Sequence, residues 1–267
     1  MDTIVKHQKV PVFSKYALDI AELCAKDLWR GISYKDGKPL LKSDEEFLSM
    51  FASPFLSYAL AGFTNHNNPI TADSINALID VAKLNPMRLS SKTTDIQKGI
   101  DTLYFGVSKL LTDWMVSNDK KSSKAIGLEA TERLGEEFFT ISAEKKKGSF
   151  IALSNRLLYF AMPNIPIYIY SKGIAEKLGF KTSKPSEIIA DYTEFLHEGY
   201  IENWNTLSNY EMPFSNNVVS ERLWLIARDN GWWQRRIYDM ALVLHLTGVK
   251  PREYLLAIAL TKARLHP

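Results

Sequence analysis

The chain has 267 residues, enough for one large domain or two small ones, and its 46% apolar and 24% charged residues exclude disordered, collagen-like and mucin-like proteins. No segment approaches the run of about 18 uncharged apolar residues that a membrane-spanning helix needs, and a single cysteine, Cys24, excludes an internal disulfide and a cysteine-based zinc site. The first ten residues lack the apolar core and cleavage site of a secretory signal, so we expect a cytoplasmic protein without a membrane partner.

Apolar residues recur with the period of an α-helix through most of the chain. Ser43 and Glu46 have the spacing of a capping box, Thr71 is a candidate N-cap, and Pro251 suits the first turn of a helix. In chain order, the pattern predicts helices over residues 14–29, 43–51, 71–82, 94–114, 124–139, 150–160, 186–197, 219–228, 232–246 and 251–265. We therefore predict a mainly α protein with about ten helices in a single globular unit, or in two helical lobes (about 1–120 and 121–267) that enclose a cleft.

Strand signals are few. Residues 165–170, Ile-Pro-Ile-Tyr-Ile-Tyr, are β-branched and aromatic, but the run is short and has proline at its second position. It is therefore interpreted as a buried extended connection between two helices. Residues rich in Gly, Pro, Asn, Ser or Lys predict loops at 31–42, 65–69, 87–93 and 207–217.

No motif for nucleotide, zinc or serine-nucleophile chemistry occurs. The chain lacks GxxxxGK[ST], GxGxxG, HExxH and GxSxG, and its five histidines have no metal-ligand spacing. Cys24 lies on the apolar stripe of its helix and is interpreted as a core residue. We accordingly expect no cofactor and no metal; the plentiful Asp and Glu residues leave a carboxylate-only magnesium site open, but no DxD-type cluster marks one.

Basic residues are concentrated toward the C-terminus. Residues 222–267 contain 8 Lys and Arg against 3 Asp and Glu, a net charge of +5, whereas residues 1–221 carry a net charge of −2. Such a basic end is compatible with a phosphate-bearing partner. Lys145, Lys146 and Lys147 also precede a helix start, where they could grip a DNA backbone; alternatively, they are a solvated charge run that ends the preceding helix.

A second notable segment runs from Trp232 to Asp239. On a helix, Trp232, Arg235 or Arg236, and Asp239 fall on one face, with Trp233 beside them. Arginine can bind a phosphate, tryptophan can stack on an extruded base, and a carboxylate can stabilise a sugar cation. The structural alternative is a surface ion pair of Asp239 with Arg235 or Arg236, with both tryptophans in the core.

Two blocks of the sequence resemble a known family. Residues 154–168, SNRLLYFAMPNIPIY, and 236–242, RIYDMAL, are similar to segments of bacterial proteins related to 8-oxoguanine DNA glycosylases, within the helix-hairpin-helix DNA glycosylase superfamily. The resemblance implies the fold of that superfamily. It also places the lysine that attacks the sugar at Asn155 and the essential aspartate at about Ile169 or Tyr170, and the glycine-rich hairpin is missing.

These departures argue against a bifunctional lyase of the usual type, because the amide of Asn155 cannot form the Schiff base. The resemblance then implies a monofunctional DNA glycosylase with Asp239 as its carboxylate, acting in repair or in defence against phage DNA, or a catalytically inactive module that binds DNA or protein. A protein without any nucleic-acid role, pairing its basic helices with an acidic partner, is the third hypothesis. The candidate catalytic residues are Asp239, Asn155 and Tyr170, and the candidate DNA contacts are Lys145, Lys146, Lys147, Arg156, Arg235, Arg236, Trp232 and Trp233.

Overall fold

The computed structural model describes residues 9–28, 33–35, 38–40, 44–60, 72–81, 123–141, 150–180, 185–213, 221–248 and 250. Within these ranges the protein is mainly helical, as predicted, with ten helices and two short strands. The elements are α1 (Lys15–Leu28), β1 (Ser33–Lys35), β2 (Lys38–Leu40), α2 (Asp44–Leu60), α3 (Ala72–Val81), α4 (Ser123–Ile141), α5 (Ile151–Ala161), α6 (Lys172–Lys177), α7 (Pro185–Glu202), α8 (Trp204–Leu207), α9 (Glu221–Asp229) and α10 (Trp232–Thr247).

The two strands form an antiparallel hairpin in which Ser33 is opposite Leu40 and Lys35 is opposite Lys38. The prediction of a loop over residues 31–42 is therefore wrong for these six residues. The sequence between the strands is Asp-Gly, a dipeptide that favours tight hairpin turns. The Asp-Gly dipeptide could therefore have been used to predict the hairpin from the sequence.

Two helices organise the packing. Helix α5 packs against α2, α3 and α4, while α10 packs against α1, α6, α8 and α9. The two groups meet where Tyr159 of α5 stacks on Trp232 of α10, with ring centroids 4.9 Å apart. Buried residues from α1 through α10 belong to one hydrophobic cluster, which includes Cys24 at 1% exposure, as expected.

The connection after α5 is extended and buried, as the sequence predicts. Ile165, Ile167, Tyr168, Ile169 and Tyr170 are all at most 5% exposed, and no strand pairing involves them. The connection leads directly into α6, so the buried residues between the two helices join α5 to α6.

Several predictions lie outside the described residues: the helices over 94–114 and 251–265, the loops at 65–69 and 87–93, and Lys145, Lys146 and Lys147. Among the described helices, none combines the length and apolar character needed to cross a membrane.

Gly199 of α7 makes a close contact with Tyr238 of α10. A Cβ atom at position 199 would overlap the Tyr238 hydroxyl and would lie 2.6 Å from Cζ of that ring and 2.7 Å from Cγ1 of Val10. We expect Gly199→Ala to lower the free energy of unfolding by about 3 kcal/mol, because a packed interface cannot absorb the added methyl group without shifting. Urea denaturation measures the change.

The Tyr238 hydroxyl is buried without a hydrogen-bond partner among the described residues, so Tyr238→Phe provides a relief variant. Combined with Gly199→Ala, it should recover part of the loss. An equal loss from Gly199→Ala in the wild-type and Tyr238→Phe backgrounds would contradict this contact.

Candidate functional site

The first half of α10 is enclosed by protein. Trp232, Trp233 and Arg236 have no exposed surface, and Arg235 is 3% exposed. The Trp232 indole Nε1 donates to the Tyr159 carbonyl at 2.8 Å, and the Tyr159 hydroxyl donates to the Trp232 carbonyl at 3.3 Å. This reciprocal pair fixes α10 against α5.

Arg235 fastens the extended connection to α10. Its Nη2 donates to the carbonyls of Ile165 at 3.0 Å and Pro163 at 3.3 Å, while Nη1 donates to the Asn230 carbonyl at 2.6 Å. Three backbone carbonyls thus hold this guanidinium, two from the connection after α5 and one from the turn between α9 and α10. Arg235 positions the connection rather than facing solvent.

Arg236 is the centre of a group of charged residues, here called the charge cluster: Asp44, Arg156, Arg236 and Asp239. Its Nε lies 3.1 Å from Oδ2 of Asp44, and its Nη1 lies 2.6 Å from Oδ2 of Asp239. The side chains of Arg236, Asp44 and Asp239 are 0%, 2% and 13% exposed. Burial lowers the pKa of the Arg236 guanidinium, but the two carboxylates outweigh burial and leave the pKa above its ordinary value.

Asp239 occupies the partly open edge of the charge cluster. Burial raises the pKa of its carboxyl group, against the opposing effects of the Arg236 and Arg156 guanidinium groups. Among the described residues, Arg156 forms no ion pair: its Nη1 donates to the Ala152 carbonyl at 3.4 Å, and its buried Nε has no partner. Burial lowers the pKa of this guanidinium, whereas Asp239 raises it. The α5 and α10 segments therefore bring an arginine with unused donors near a partly accessible carboxylate.

Asn155 of α5 binds the backbone of Tyr170, near the end of the connection that leads into α6. The Asn155 Oδ1 accepts a hydrogen bond from the Tyr170 backbone N–H at 2.6 Å, and both residues are at most 3% exposed. The Tyr170 ring packs edge-to-face on Tyr192, whose hydroxyl donates to the Ile169 carbonyl at 3.3 Å. Burial raises the pKa of the Tyr170 phenol, which favours its protonated form. A catalytic role for either residue stays a prediction, and the geometry gives both a positioning role.

The four candidate DNA contacts of α10 are enclosed by protein in this structure. Trp232, Trp233, Arg235 and Arg236 are buried, so a direct DNA contact by any of them would require this part of α10 to leave the core. The alternative interpretation of this segment, with both tryptophans in the core and Asp239 paired with a neighbouring arginine, is confirmed for Trp232, Trp233 and the Arg236–Asp239 pair. It is wrong to place that pair at the surface, because Arg236 is fully buried.

Sequence reasoning missed Asp44. Asp44 lies 192 positions from Arg236 in the sequence. In the sequence alone it is one of three acidic residues in the first turn of α2, where acidic residues are common. Nothing in a single sequence links two such distant charges. No group of three or more His, Cys, Asp and Glu side chains in the described ranges is arranged to hold a metal ion.

No protein-family model, curated protein or solved structure matches the chain.

The buried position of Asp239 leads to a prediction about pH. Because burial raises its pKa above the ordinary value of 3.8, the folded chain binds this proton more tightly than the unfolded chain does. The stabilisation from this group is thus complete below pH 3.8 and is lost as the pH rises through the raised pKa. Relative to Asp239→Asn, the wild type should gain stability as the pH falls from 7 toward 4, as measured by chemical denaturation at each pH.

Asp229→Asn, a carboxamide placed at an exposed aspartate, is the matched control for this experiment. A wild-type protein that loses stability relative to Asp239→Asn on acidification would show that the arginines, rather than burial, dominate the pKa of Asp239.

Proposed function

We propose that this chain is a DNA-binding protein that removes a flipped, damaged or modified base as a monofunctional DNA glycosylase. One observation supports this most. The two blocks that resemble glycosylases, residues 154–168 and 236–242, are about 70 positions apart in the sequence, yet they lie together in the structure. Trp232 and Arg235, just before the second block, donate to the backbone of the first, and Arg156 interacts electrostatically with Asp239.

Asp239 supplies the carboxylate in this proposal. When the N-glycosidic bond breaks, its electron pair leaves with the base and positive charge develops at the sugar C1′. A carboxylate held in a poorly solvated site stabilises that charge strongly. Water then adds to C1′, and its proton passes to the carboxylate, a transfer that a raised pKa favours.

Asn155 determines the type of product. Its amide cannot form a Schiff base, and its Oδ1 is already bonded to the Tyr170 N–H. Water is therefore the nucleophile in the proposed reaction, and the product is an abasic site in an intact strand. Borohydride should trap no covalent complex.

Arg156 is the proposed contact to DNA near Asp239. Of the candidate DNA-binding residues that the structure describes, it alone keeps a partly exposed side chain, and most of its donors are unused. A guanidinium with free N–H groups binds a phosphate oxygen well. Arg156→Gln should weaken DNA binding and reduce its dependence on salt, since one counterion-releasing contact is lost.

The second candidate is a glycosylase-like module that binds DNA or protein without catalysis. It is favoured by the ion pair between Asp239 and the fully buried Arg236, because folding alone then explains the carboxylate. This candidate predicts binding without an abasic product.

Incubation with a panel of DNA duplexes distinguishes the candidates. The panel includes oxidised, alkylated, deaminated and phage-type modified bases, and alkali then cleaves any abasic site. The proposal predicts scission only after alkali, abolished by Asp239→Asn and kept by Asp229→Asn. Salt-sensitive binding without scission favours the non-catalytic module, and the absence of both binding and scission overturns the DNA proposal.

A further inference from the structure

An open groove of about 990 Å³ lies along α7, on a surface that the proposed function does not use. One wall is the side of α7 that spans Asp191 to Glu202, and the other is the segment before α1 that includes Lys9, Val10 and Val12. The groove is independent of the charge cluster, and its interpretation does not rest on the glycosylase proposal.

Asn203 fixes the extended wall of the groove. Its Oδ1 accepts from the Phe13 N–H at 2.8 Å, and its Nδ2 donates to the carbonyls of Pro11 at 3.0 Å and Gly199 at 2.7 Å. The side chain is 3% exposed, so these bonds are shielded from water. The segment before α1 is thereby tied to the end of α7, and the concave shape is formed in advance of any binding.

Large apolar side chains of the groove are open to water. Val12 is 67% exposed and Ile201 is 55% exposed, on opposite walls. Phe195 of α7 also lines the groove, at 6% exposure. Covering these side chains would remove apolar surface from water, which is the usual source of binding free energy in a helix-binding groove.

The same face of α7 carries a row of acidic residues. Asp191, Glu194, Glu198 and Glu202 line the groove at intervals of three, four and four residues, a spacing that keeps them on one side of the helix. Glu194 pairs with Lys124, whereas Asp191, Glu198 and Glu202 form no ion pair with any residue that the structure describes. At a rise of 1.5 Å per residue, the row is about 16 Å long, about three helical turns.

We propose that this groove binds a basic amphipathic helix of a partner protein. The apolar face of the partner would cover Phe195, Ile201 and Val12, and its lysines or arginines, spaced three or four residues apart, would pair with the acidic row. The charge of the row selects this partner against nucleic acid, whose phosphates it repels. It also selects against a purely apolar partner, which would leave the carboxylates desolvated and unpaired.

Fluorescence anisotropy with a labelled amphipathic peptide of leucines and lysines, about 14 residues or four helical turns long so that it spans the acidic row, tests the proposal on the full chain. A scrambled peptide of the same composition and a version with glutamate in place of lysine are the controls. Because the protein carries a net charge of +3, general electrostatic attraction does not favour the basic peptide. The proposal predicts binding of the amphipathic basic peptide, at least about tenfold tighter than either control.

Two variants locate the binding. Ile201→Asp removes the exposed apolar anchor and should weaken binding about tenfold or more, as should Glu198→Lys combined with Glu202→Lys. Glu211→Lys with Glu221→Lys makes the same change in charge at exposed positions outside the groove and should have little effect. These are surface substitutions, and circular dichroism checks that each variant is folded.

The proposal is overturned if the scrambled peptide binds equally well, if no peptide binds, or if both double variants weaken binding to the same extent. Size-exclusion chromatography with light scattering adds one more outcome. A dimer that Ile201→Asp dissociates would assign the groove to a second copy of this chain and would also overturn the proposal.

Discussion

Replacing Arg236 by methionine is expected to lower the free energy of unfolding by about 3–5 kcal/mol at neutral pH. The substitution keeps a long side chain in the core but leaves Asp44 and Asp239 without the guanidinium that lies within 3.1 Å of both. Removing one partner of a buried ion pair is costly, because the remaining carboxylates lose an attractive charge and do not regain their hydration. Urea denaturation at pH 7 measures the loss.

The neighbouring helix offers a matched control. Arg228 pairs with Asp229, and their side chains are 46% and 58% exposed, so Arg228→Met should cost about 1 kcal/mol or less. Adding Asp239→Asn to Arg236→Met should recover part of the loss, since the carboxylate that lost the 2.6 Å contact with the guanidinium is then replaced by a neutral amide. Similar losses from Arg236→Met and Arg228→Met would contradict the burial of the charge cluster.

Replacing Trp232 by alanine is expected to cost about 3–5 kcal/mol. The indole has no exposed surface, stacks on Tyr159 and donates to the Tyr159 carbonyl, so the substitution opens a cavity and leaves a buried acceptor without its donor. Thermal and urea unfolding both measure the effect.

Trp204→Ala is the control for this substitution, because it removes the same side chain from a position that is 39% exposed. Its cost should be about 1 kcal/mol. A Trp232→Ala protein that kept its stability but lost DNA affinity would contradict the burial of Trp232. It would instead support the hypothesis that Trp232 stacks on a base.

Most of the helices could be predicted because each buries one face. The sequence predicts helices over residues 14–29 and 124–139, and the structure has them at Lys15–Leu28 and Ser123–Ile141. Which apolar residues of a helix are buried is harder to predict than the helix itself. In α1 the apolar residue Leu23 is 46% exposed, since it lies about 140° around the helix from the buried Leu18.

The environment of the candidate site could not be predicted, and α10 shows why. Residues 232–238 are all buried, so this part of the helix has no polar face from which a pattern could be read. The spacing correctly joined Arg236 to Asp239, three residues apart, but it gave no sign that Arg236 is enclosed or that Asp44 also pairs with it. Those facts depend on contacts between segments far apart in the chain.

Whether Asp239 carries base excision is tested most directly by measuring the free base released from duplex DNA in a single turnover, using the panel of modified duplexes. The proposed function predicts release of one class of base by the wild type. It also predicts a rate at least about 10²-fold lower in Asp239→Asn that is folded and binds DNA with unchanged affinity. An unchanged rate in folded Asp239→Asn, or no base released from any duplex by the wild type, would contradict it.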